Sequence, residues 1–205
     1  MTEFNVHQLW PCPIYENDIP VKKEWLDYVH NTEYERTRIE NSDISKDRYI
    51  LKDLPDLKKE IDSHCENFVR KYLHVKNKLN FYMLNSWSNR HQPNDHSQIH
   101  YHGNAMLSGT YYVDCNEGSG DISFHRNQLH RNLFPDTFRV EYDNLFEVTA
   151  DQYKLRVRNG MIILFPSHME HSISTNISNS NRYSIAFNYF VKGKLGIEEY
   201  ELEIK

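Results

Sequence analysis

The stretch that decides the fold is HYHGNAMLSGTYYV, residues 100–113, in which two histidines precede a run rich in small, β-branched and aromatic residues. Side chains two residues apart in an extended chain point to the same side. His100 and His102 are therefore predicted to face together, with Tyr101 turned away. Two imidazoles on one face can supply two adjacent ligands to one metal ion. The sequence thus predicts a metal site next to a strand.

A third ligand for that site is available in LFPSHMEHSIS, residues 164–174, which contains His168 and His171. The apolar run before it is predicted to be a buried strand that Pro166 ends, so that His168 lies in a turn and His171 begins the next strand. A ligand at the end of a rigid strand is better fixed than one in a turn. His171 is therefore preferred, and His168 stays open as the alternative.

From about residue 80 onward the polarity pattern has a period of two, which is typical of strands. The candidate strands are LNFYMLNSWSN, AMLSGTYYVDC, GDISFHRN, LFEVTA, QYKLRVRNG, GMIILFPS, HSISTN and RYSIAFNYFVKG. Many short strands separated by turn residues predict a sandwich, jelly roll or barrel. The polar residues 125–144 are predicted to be a loop near the mouth of the barrel. The tail GKLGIEEYELEIK is predicted to be a closing strand or a short cover.

The first 79 residues are predicted to be a helical support for the strands. Apolar residues at helical spacing follow Pro20, and a stronger amphipathic pattern runs through DLPDLKKEIDSHCENFVRKYLHV, with Asp53 as its candidate cap. We therefore predict a single domain with helical support in residues 1–79, a jelly-roll core in residues 80–192 and a tail in residues 193–205.

Composition limits the classes of partner and compartment. The 24 basic and 29 acidic residues give a net charge of −5, which offers no electrostatic reason to expect nucleic acid or an anionic membrane. The three cysteines are widely spaced without a CxxC pattern, which predicts reduced thiols in a cytoplasmic protein. No signal-peptide pattern is visible, and no apolar stretch approaches the roughly 20 residues of a membrane helix.

An arginine in the segment NRYSIAFN, residues 181–188, is predicted to point inward. Alternation places Arg182, Ser184, Ala186 and Asn188 on one face of a strand. A buried arginine is costly unless a carboxylate meets it, and the neighbouring sequence offers none. A dicarboxylate ligand would meet this need, because one end could pair with Arg182 and Ser184 while the other end chelated the metal.

Other polar residues and glycines near these motifs are interpreted more simply. Polar loop positions are predicted for His91, His96, His125 and His130, with the mouth of the barrel as the alternative for His125. Asn85 and Trp87 are interpreted as packing residues at the pocket edge. Gly109 is interpreted as a close approach of the backbone or a bulge, and Gly120 as a turn.

Four segments carry a resemblance to a known family: HYHGNAMLSGTYYV, GSGDISF, NGMIILFPSHMEHSI and NRYSIAFN. Together they resemble the 2-oxoglutarate/Fe(II)-dependent oxygenases. The pattern HxH, LSGxYY, LFPSxxxH and RxSIAFN is similar to a bacterial and phage branch of the family that is related to the prolyl hydroxylases. The resemblance covers about residues 80–190. It implies a mainly β fold, the double-stranded β-helix or jelly roll, with supporting N-terminal α-helices.

The resemblance also implies roles for single residues. His100 and His171 would be iron ligands, and His102 would occupy the position where related enzymes carry an acidic ligand. The 5-carboxylate of 2-oxoglutarate would be bound by Arg182 with Ser184, and by Tyr112.

The implied function is that of a 2-oxoglutarate- and Fe(II)-dependent dioxygenase, an enzyme that uses O2 to hydroxylate a peptidyl proline, an amino acid or a small metabolite. Two alternatives stay open. One is a cupin-like metalloenzyme with three histidine ligands that works without 2-oxoglutarate, and the other is a non-catalytic jelly-roll binding module. No nucleic acid or membrane is predicted as a partner. An exposed edge strand in the tail could pair two chains into a homodimer.

Overall fold

The computed structural model describes residues 5–7, 11–37, 41–126, 140–144, 148–197 and 200–205. The described strands are β1 (Tyr15–Asp18), β2 (Tyr34–Arg36), β3 (Asp43–Ser45), β4 (Leu79–His91), β5 (Ser97–His100), β6 (Leu107–Asp114), β7 (Ile122–His125), β8 (Gln152–Leu155), β9 (Met161–Pro166), β10 (His171–Ile173), β11 (Arg182–Leu195) and β12 (Leu202–Ile204). The described helices are α1 (Lys23–Asn31) and α2 (Pro55–Glu66), and a π-helical turn over Asn67–Tyr72 continues α2.

Two antiparallel sheets form the body of the molecule. The larger sheet has the order β1-β9-β6-β11-β4-β3-β2 with β12 beside β11, and the smaller sheet has the order β5-β10-β7-β8. One pocket is lined by side chains from both sheets, so the sheets face each other across it. This arrangement confirms the predicted mainly β jelly roll.

The helices cover the outer face of the larger sheet. Trp25 and Val29 of α1 and Leu57 and Ile61 of α2 share one apolar core with alternate residues of β11, which are Ile185, Phe187 and Tyr189. Burial of such side chains stabilises a fold by about 1.5–3 kcal/mol each, so this contact accounts for the amphipathic pattern of both helices. Within the described residues no helix is long and apolar enough to cross a bilayer.

The N-terminal part of the chain contributes strands as well as helices. The strand β1 pairs with β9 at one edge of the larger sheet, and β2 and β3 extend the other edge beyond β4. Their sequences YEND, YER and DIS are short and polar, so no alternating apolar pattern reveals them.

The predicted cap of the second helix is wrong. The position before α2 is Leu54, which makes no capping hydrogen bond through its side chain. Asp53 instead accepts a hydrogen bond from the Tyr28 hydroxyl at 3.0 Å, which ties the start of α2 to α1. The carboxylate therefore joins two helices rather than ending one.

Most of the predicted strands are present, and the tail forms β12, which pairs with β11 as a closing strand. The predicted strand LFEVTA is not confirmed. Its residues 145–147 lie outside the described residues, and residues 148–150 lie in a turn. The predicted loop at residues 125–144, including His130, falls mostly outside the described residues.

The alternation predicted for β11 is observed. Ser184 lies opposite Tyr112 of β6, and Asn188 lies opposite Ser108. Arg182, Ser184 and Ala186 line the pocket between the sheets, whereas the residues between them face the helices. One strand therefore serves the core with one face and the pocket with the other.

The position of Gly109 in β6 leaves no room for a side chain. A Cβ there would overlap Phe187 Cε2 and lie 2.6 Å from the Ile163 carbonyl oxygen. We expect Gly109→Ala to lower the free energy of unfolding by about 1–3 kcal/mol, because a core ring and a strand backbone must move. Denaturant unfolding measures this loss, with Gly103→Ala as the control, since a Cβ at Gly103 meets no atom within 4 Å. Equal losses in the two variants would contradict the packing argument.

Candidate active site

Three histidines meet in the space between the sheets. His100 ends β5 and His171 begins β10, and the two residues are cross-strand partners. His102 lies in the turn after β5, where its backbone N–H donates to the Ser167 carbonyl oxygen at 2.9 Å. Each of the three side chains offers a nitrogen, and these nitrogens lie within 4.8 Å of one another. This spacing suits three ligands to a single metal ion.

The predicted common orientation of His100 and His102 is observed, although only His100 lies within the strand. Their ring centroids are 5.4 Å apart, with an angle of 18° between the ring planes. Tyr101 is 62 % exposed and points away. Of the two candidates for the third histidine, His171 is buried in the cluster, whereas His168 is exposed in the turn after β9.

Backbone oxygens hold two of the imidazoles in one orientation. The Nδ1 atom of His100 lies 2.8 Å from the Gln98 carbonyl oxygen, and the Nδ1 atom of His171 lies 3.0 Å from the Met169 carbonyl oxygen. Because a carbonyl oxygen only accepts, each Nδ1 carries the proton and donates it. Nε2 is then the atom of each ring with a lone pair for a metal.

Side chains hold the third imidazole. The Nδ1 atom of His102 lies 2.7 Å from Asn188 Oδ1 and 3.0 Å from Ser108 Oγ. The Asn188 amide donates in turn to Asn85 Oδ1 at 2.9 Å. Metal-binding histidines are commonly oriented by such partners, often by a carboxylate. Here the partners are neutral, and among the described residues no Asp or Glu belongs to the histidine group.

The buried histidine of the cluster is neutral at ordinary pH. Burial, together with the neighbouring His100 and His102, lowers the pKa of His171 to about 3. The ring centroids of Phe165 and Phe124 lie 4.8 Å and 6.2 Å from that of His171, so two apolar rings pack beside the imidazole. A neutral imidazole is the form that binds a metal, so His171 needs no deprotonation step near pH 7.

Arg182 is buried without a carboxylate beside it. Its side chain is among the largest that are fully buried, with 1 % of the residue exposed. Nη1 donates to the Gly120 carbonyl oxygen at 2.9 Å and Nη2 donates to His91 Nδ1 at 3.0 Å. Among the described residues no Asp or Glu forms an ion pair with it. The positive charge is therefore met by neutral acceptors alone, which is a costly state for a buried charge.

Three polar atoms next to this charge are buried and have no hydrogen-bond partner among the described residues, and they are Arg182 Nε, Ser184 Oγ and Tyr112 Oη. Ser184 and Tyr112 are cross-strand partners, and the guanidinium carbon of Arg182 lies 5.7 Å from the centroid of the Tyr112 ring. Burial raises the pKa of Tyr112, so its hydroxyl remains a donor. Buried polar groups in folded proteins are nearly always paired. Three unpaired donors around one cation fit a carboxylate, which accepts several hydrogen bonds.

A single pocket connects the histidine cluster to Arg182 and Ser184. Its remaining walls come from both sheets, namely Trp87, Asn89, His91, Thr110 and Ala186 from the larger sheet and Ser97, Ile122 and Ile173 from the smaller one. Tyr112 contacts Arg182 but does not line this pocket. The three histidines and Arg182 therefore face the same space between the sheets.

Comparison with known proteins agrees with this geometry. Residues 85–188 match the family model 2OG-FeII_Oxy_5, which describes a 2OG-Fe(II) oxygenase. The chain belongs to this family of 2-oxoglutarate/Fe(II) oxygenases. The matched range contains the three clustered histidines and the arginine, so the chain is an oxygenase whose cofactors are Fe(II) and 2-oxoglutarate. No curated protein gives a significant match to the sequence.

Solved structures of low sequence identity share the fold of this oxygenase. A 2OG-Fe(II) oxygenase family oxidoreductase from Burkholderia pseudomallei has a TM-score of 0.57 at 11% identity, over 81% of this chain and 77% of its own. HygX from Streptomyces hygroscopicus, solved with nickel and 2-oxoglutarate bound, has a TM-score of 0.57 at 13% identity, over 87% of this chain and 82% of its own. A prolyl-4-hydroxylase from Pseudomonas putida has a TM-score of 0.56 at 10% identity, over 87% and 92%.

The interpretation of His91 as a loop residue of the oxygenase is wrong. His91 is the last residue of β4, is 1 % exposed and lies directly opposite Arg182 in the sheet. The missed signal is the alternation of β4, which continues inward from Trp87 through Asn89 to His91. The loop position predicted for His125 is also wrong, because His125 ends β7, where its Nε2 lies 2.8 Å from Ser172 Oγ.

Proposed function

We propose that the oxygenase binds Fe(II) through the Nε2 atoms of His100, His102 and His171. The support is geometric, since the three nitrogens converge and each Nδ1 is held by an oxygen atom. Imidazole is a suitable ligand for iron, and three ligands from the protein leave positions for a co-substrate and O2. The place of the usual carboxylate ligand is taken by His102, which makes the loaded site more positive by one unit of charge.

The second part of the proposal is that Arg182, Ser184 and Tyr112 bind the 5-carboxylate of 2-oxoglutarate. Their unpaired donors surround one buried positive charge, which favours a short, charge-assisted contact with a carboxylate. 2-Oxoglutarate carries a negative charge at each end. The pocket offers a cation at one end and a site for Fe(II) at the other, so the charges of pocket and ligand are complementary.

The observation that carries the proposal is the connection of both parts by one pocket. A group of three histidines would suit many metal enzymes, but a buried arginine in the same cavity, with no carboxylate partner among the described residues, calls for an anionic ligand. This feature argues against a cupin-like enzyme that works without 2-oxoglutarate. The family match argues against a binding module without catalysis.

Hydroxylation is the reaction that we propose. Bound Fe(II) and 2-oxoglutarate would supply the oxidising chemistry, in which O2 and 2-oxoglutarate are consumed, one oxygen atom enters the substrate as a hydroxyl group, and the other enters the succinate that forms together with CO2. The residues of the chain would hold and orient these groups, and Ile122 and Ile173 contribute apolar surface to the pocket wall. We propose a peptidyl proline, an amino acid or a small metabolite as the substrate.

An anaerobic titration of the purified protein with Fe(II), and then with 2-oxoglutarate, tests the proposal. We expect stoichiometric iron binding, followed by a visible charge-transfer band when 2-oxoglutarate is added. Zinc-loaded protein is the matched control, because Zn(II) has a filled d shell and gives no such band. Iron binding without the band would favour the enzyme that works without 2-oxoglutarate, and the absence of iron binding would favour the binding module.

A further inference from the structure

The buried pair of Arg182 and His91 joins the two central strands of the pocket wall. The residues lie opposite each other in β11 and β4, and Nη2 of the guanidinium lies 3.0 Å from Nδ1 of the imidazole. Each residue is 1 % exposed. On its other side, His91 Nε2 lies 3.0 Å from Ser97 Oγ, at the start of the strand that ends at His100. The imidazole is thus held between the arginine and β5.

The tautomer of His91 follows from the chemistry of its partner. A guanidinium has only donors, so Nδ1 of His91 must be the acceptor and the ring proton must be on Nε2, which donates to Ser97 Oγ. Burial, and then the positive charge of Arg182, lower the pKa of His91 well below its ordinary value. The imidazole is therefore neutral and has one defined orientation.

A neutral partner has a consequence for ligand binding that an acidic one would not have. Asp or Glu at this position would neutralise the arginine and compete with an incoming carboxylate. His91 satisfies one N–H of the guanidinium and leaves the positive charge in place. With the Gly120 carbonyl oxygen on Nη1 and His91 on Nη2, the planar group is held at two points, and Nε is the nitrogen left without a partner.

We propose that His91 is a positioning residue for the co-substrate: it fixes the Arg182 guanidinium so that its unpaired donors meet the distal carboxylate of 2-oxoglutarate, without cancelling its charge. The inference rests on the proposed role of Arg182. It assigns to a histidine outside the metal cluster a role in co-substrate affinity, which neither the HxH motif nor the arginine motif indicates. His91 acts through Arg182 and contacts no reacting atom.

Two variants of His91 and two ligands test this proposal. His91→Leu removes the acceptor and puts an apolar side chain in its place. His91→Asn retains a side-chain acceptor, although one closer to the backbone. The ligands are 2-oxoglutarate and 2-oxopentanoate, which has the same 2-oxo acid end but lacks the distal carboxylate. Their dissociation constants are measured anaerobically by calorimetry on the metal-loaded protein, together with the affinity for the metal.

We expect His91→Leu to weaken 2-oxoglutarate binding by about 10- to 100-fold, because an N–H of a buried cation loses its partner and the guanidinium can turn. We expect His91→Asn to lose about five-fold or less. The affinities for 2-oxopentanoate and for the metal should change by less than about two-fold in both variants, since neither depends on Arg182. A general structural defect would weaken the binding of both ligands to a similar extent.

Unchanged 2-oxoglutarate affinity in His91→Leu, or an equal loss for both ligands, would overturn the positioning role. If His91→Leu does not fold, a loss specific to 2-oxoglutarate in His91→Asn supports the role, and an equal loss for both ligands opposes it. Arg182→Ala separates this inference from the proposed function. If Arg182→Ala keeps its 2-oxoglutarate affinity, the proposed co-substrate site is wrong. If it loses affinity while both His91 variants keep theirs, only the inference about His91 is wrong.

Discussion

His171→Ala should abolish stoichiometric metal binding. Changes in residues that only orient a metal ligand already cost about 10- to 100-fold in affinity, so loss of a ligand is expected to cost more than about 100-fold. His171 is the most buried of the three clustered histidines and the one that pairs across strands with His100. Without His171, only two histidine ligands on one short segment would remain. Such a pair of imidazoles binds a metal weakly.

Metal content after anaerobic loading with Fe(II) and desalting measures this prediction. His168→Ala is the matched control, because it removes a histidine from the same segment that is exposed and outside the cluster. The control should retain full iron content. Stoichiometric iron in His171→Ala, with loss of iron in His168→Ala, would reverse the choice between the two histidines. Circular dichroism of both variants would show that the sheets are intact.

Arg182→Ala should weaken 2-oxoglutarate binding by about 30- to 5000-fold and leave metal binding unchanged. Removal of one partner from a buried, hydrogen-bonded charge pair costs about 2–5 kcal/mol, which corresponds to that range. The loss is expected at this end of the pocket alone, because the guanidinium donates to the Gly120 carbonyl oxygen and to His91, neither of which is one of the three clustered histidines. Arg182→Lys should recover only part of the affinity, since an ammonium group keeps the charge but lacks the planar fork.

Calorimetric titration of the metal-loaded variants with 2-oxoglutarate measures this effect. Arg156→Ala is a suitable control, because the Arg156 side chain is 75% exposed and pairs with Glu117 at the surface. Equal affinities for 2-oxoglutarate in Arg182→Ala and in the control would contradict the proposed co-substrate site. Loss of iron affinity in Arg182→Ala would mean that the two ends of the pocket do not bind independently.

Much of the fold and part of the site could be predicted from the sequence. The period of two identifies β4, β6 and β11, because strand geometry sends successive side chains to opposite faces, and a short apolar run identifies β9. The same rule places Arg182, Ser184 and Asn188 on one face and turns Tyr101 away from the histidines. These are local properties of an extended segment, and they do not depend on which other segment pairs with it.

Contacts between distant segments could not be predicted in this way. Alternation shows which way a side chain points, but not which strand lies opposite it. The choice of His171 over His168 depends on the pairing of β10 with β5, and the contact of Asn188 with His102 depends on how a turn from one sheet meets the other. The alternation of β4 could have placed His91 inward, but its contact with Arg182 could not be predicted, since that partner comes from β11.

The sequence by itself therefore determined which segments form strands and to which face of a strand each side chain points. It also determined the order of motifs that shows the family. Only the tertiary structure decided which residues meet, because each of those contacts joins segments that are far apart in the chain. The unpaired donors of Arg182, Ser184 and Tyr112 are the clearest case. Their lack of partners is a property of the packed pocket, where burial removes the water that would satisfy each of them in the unfolded chain.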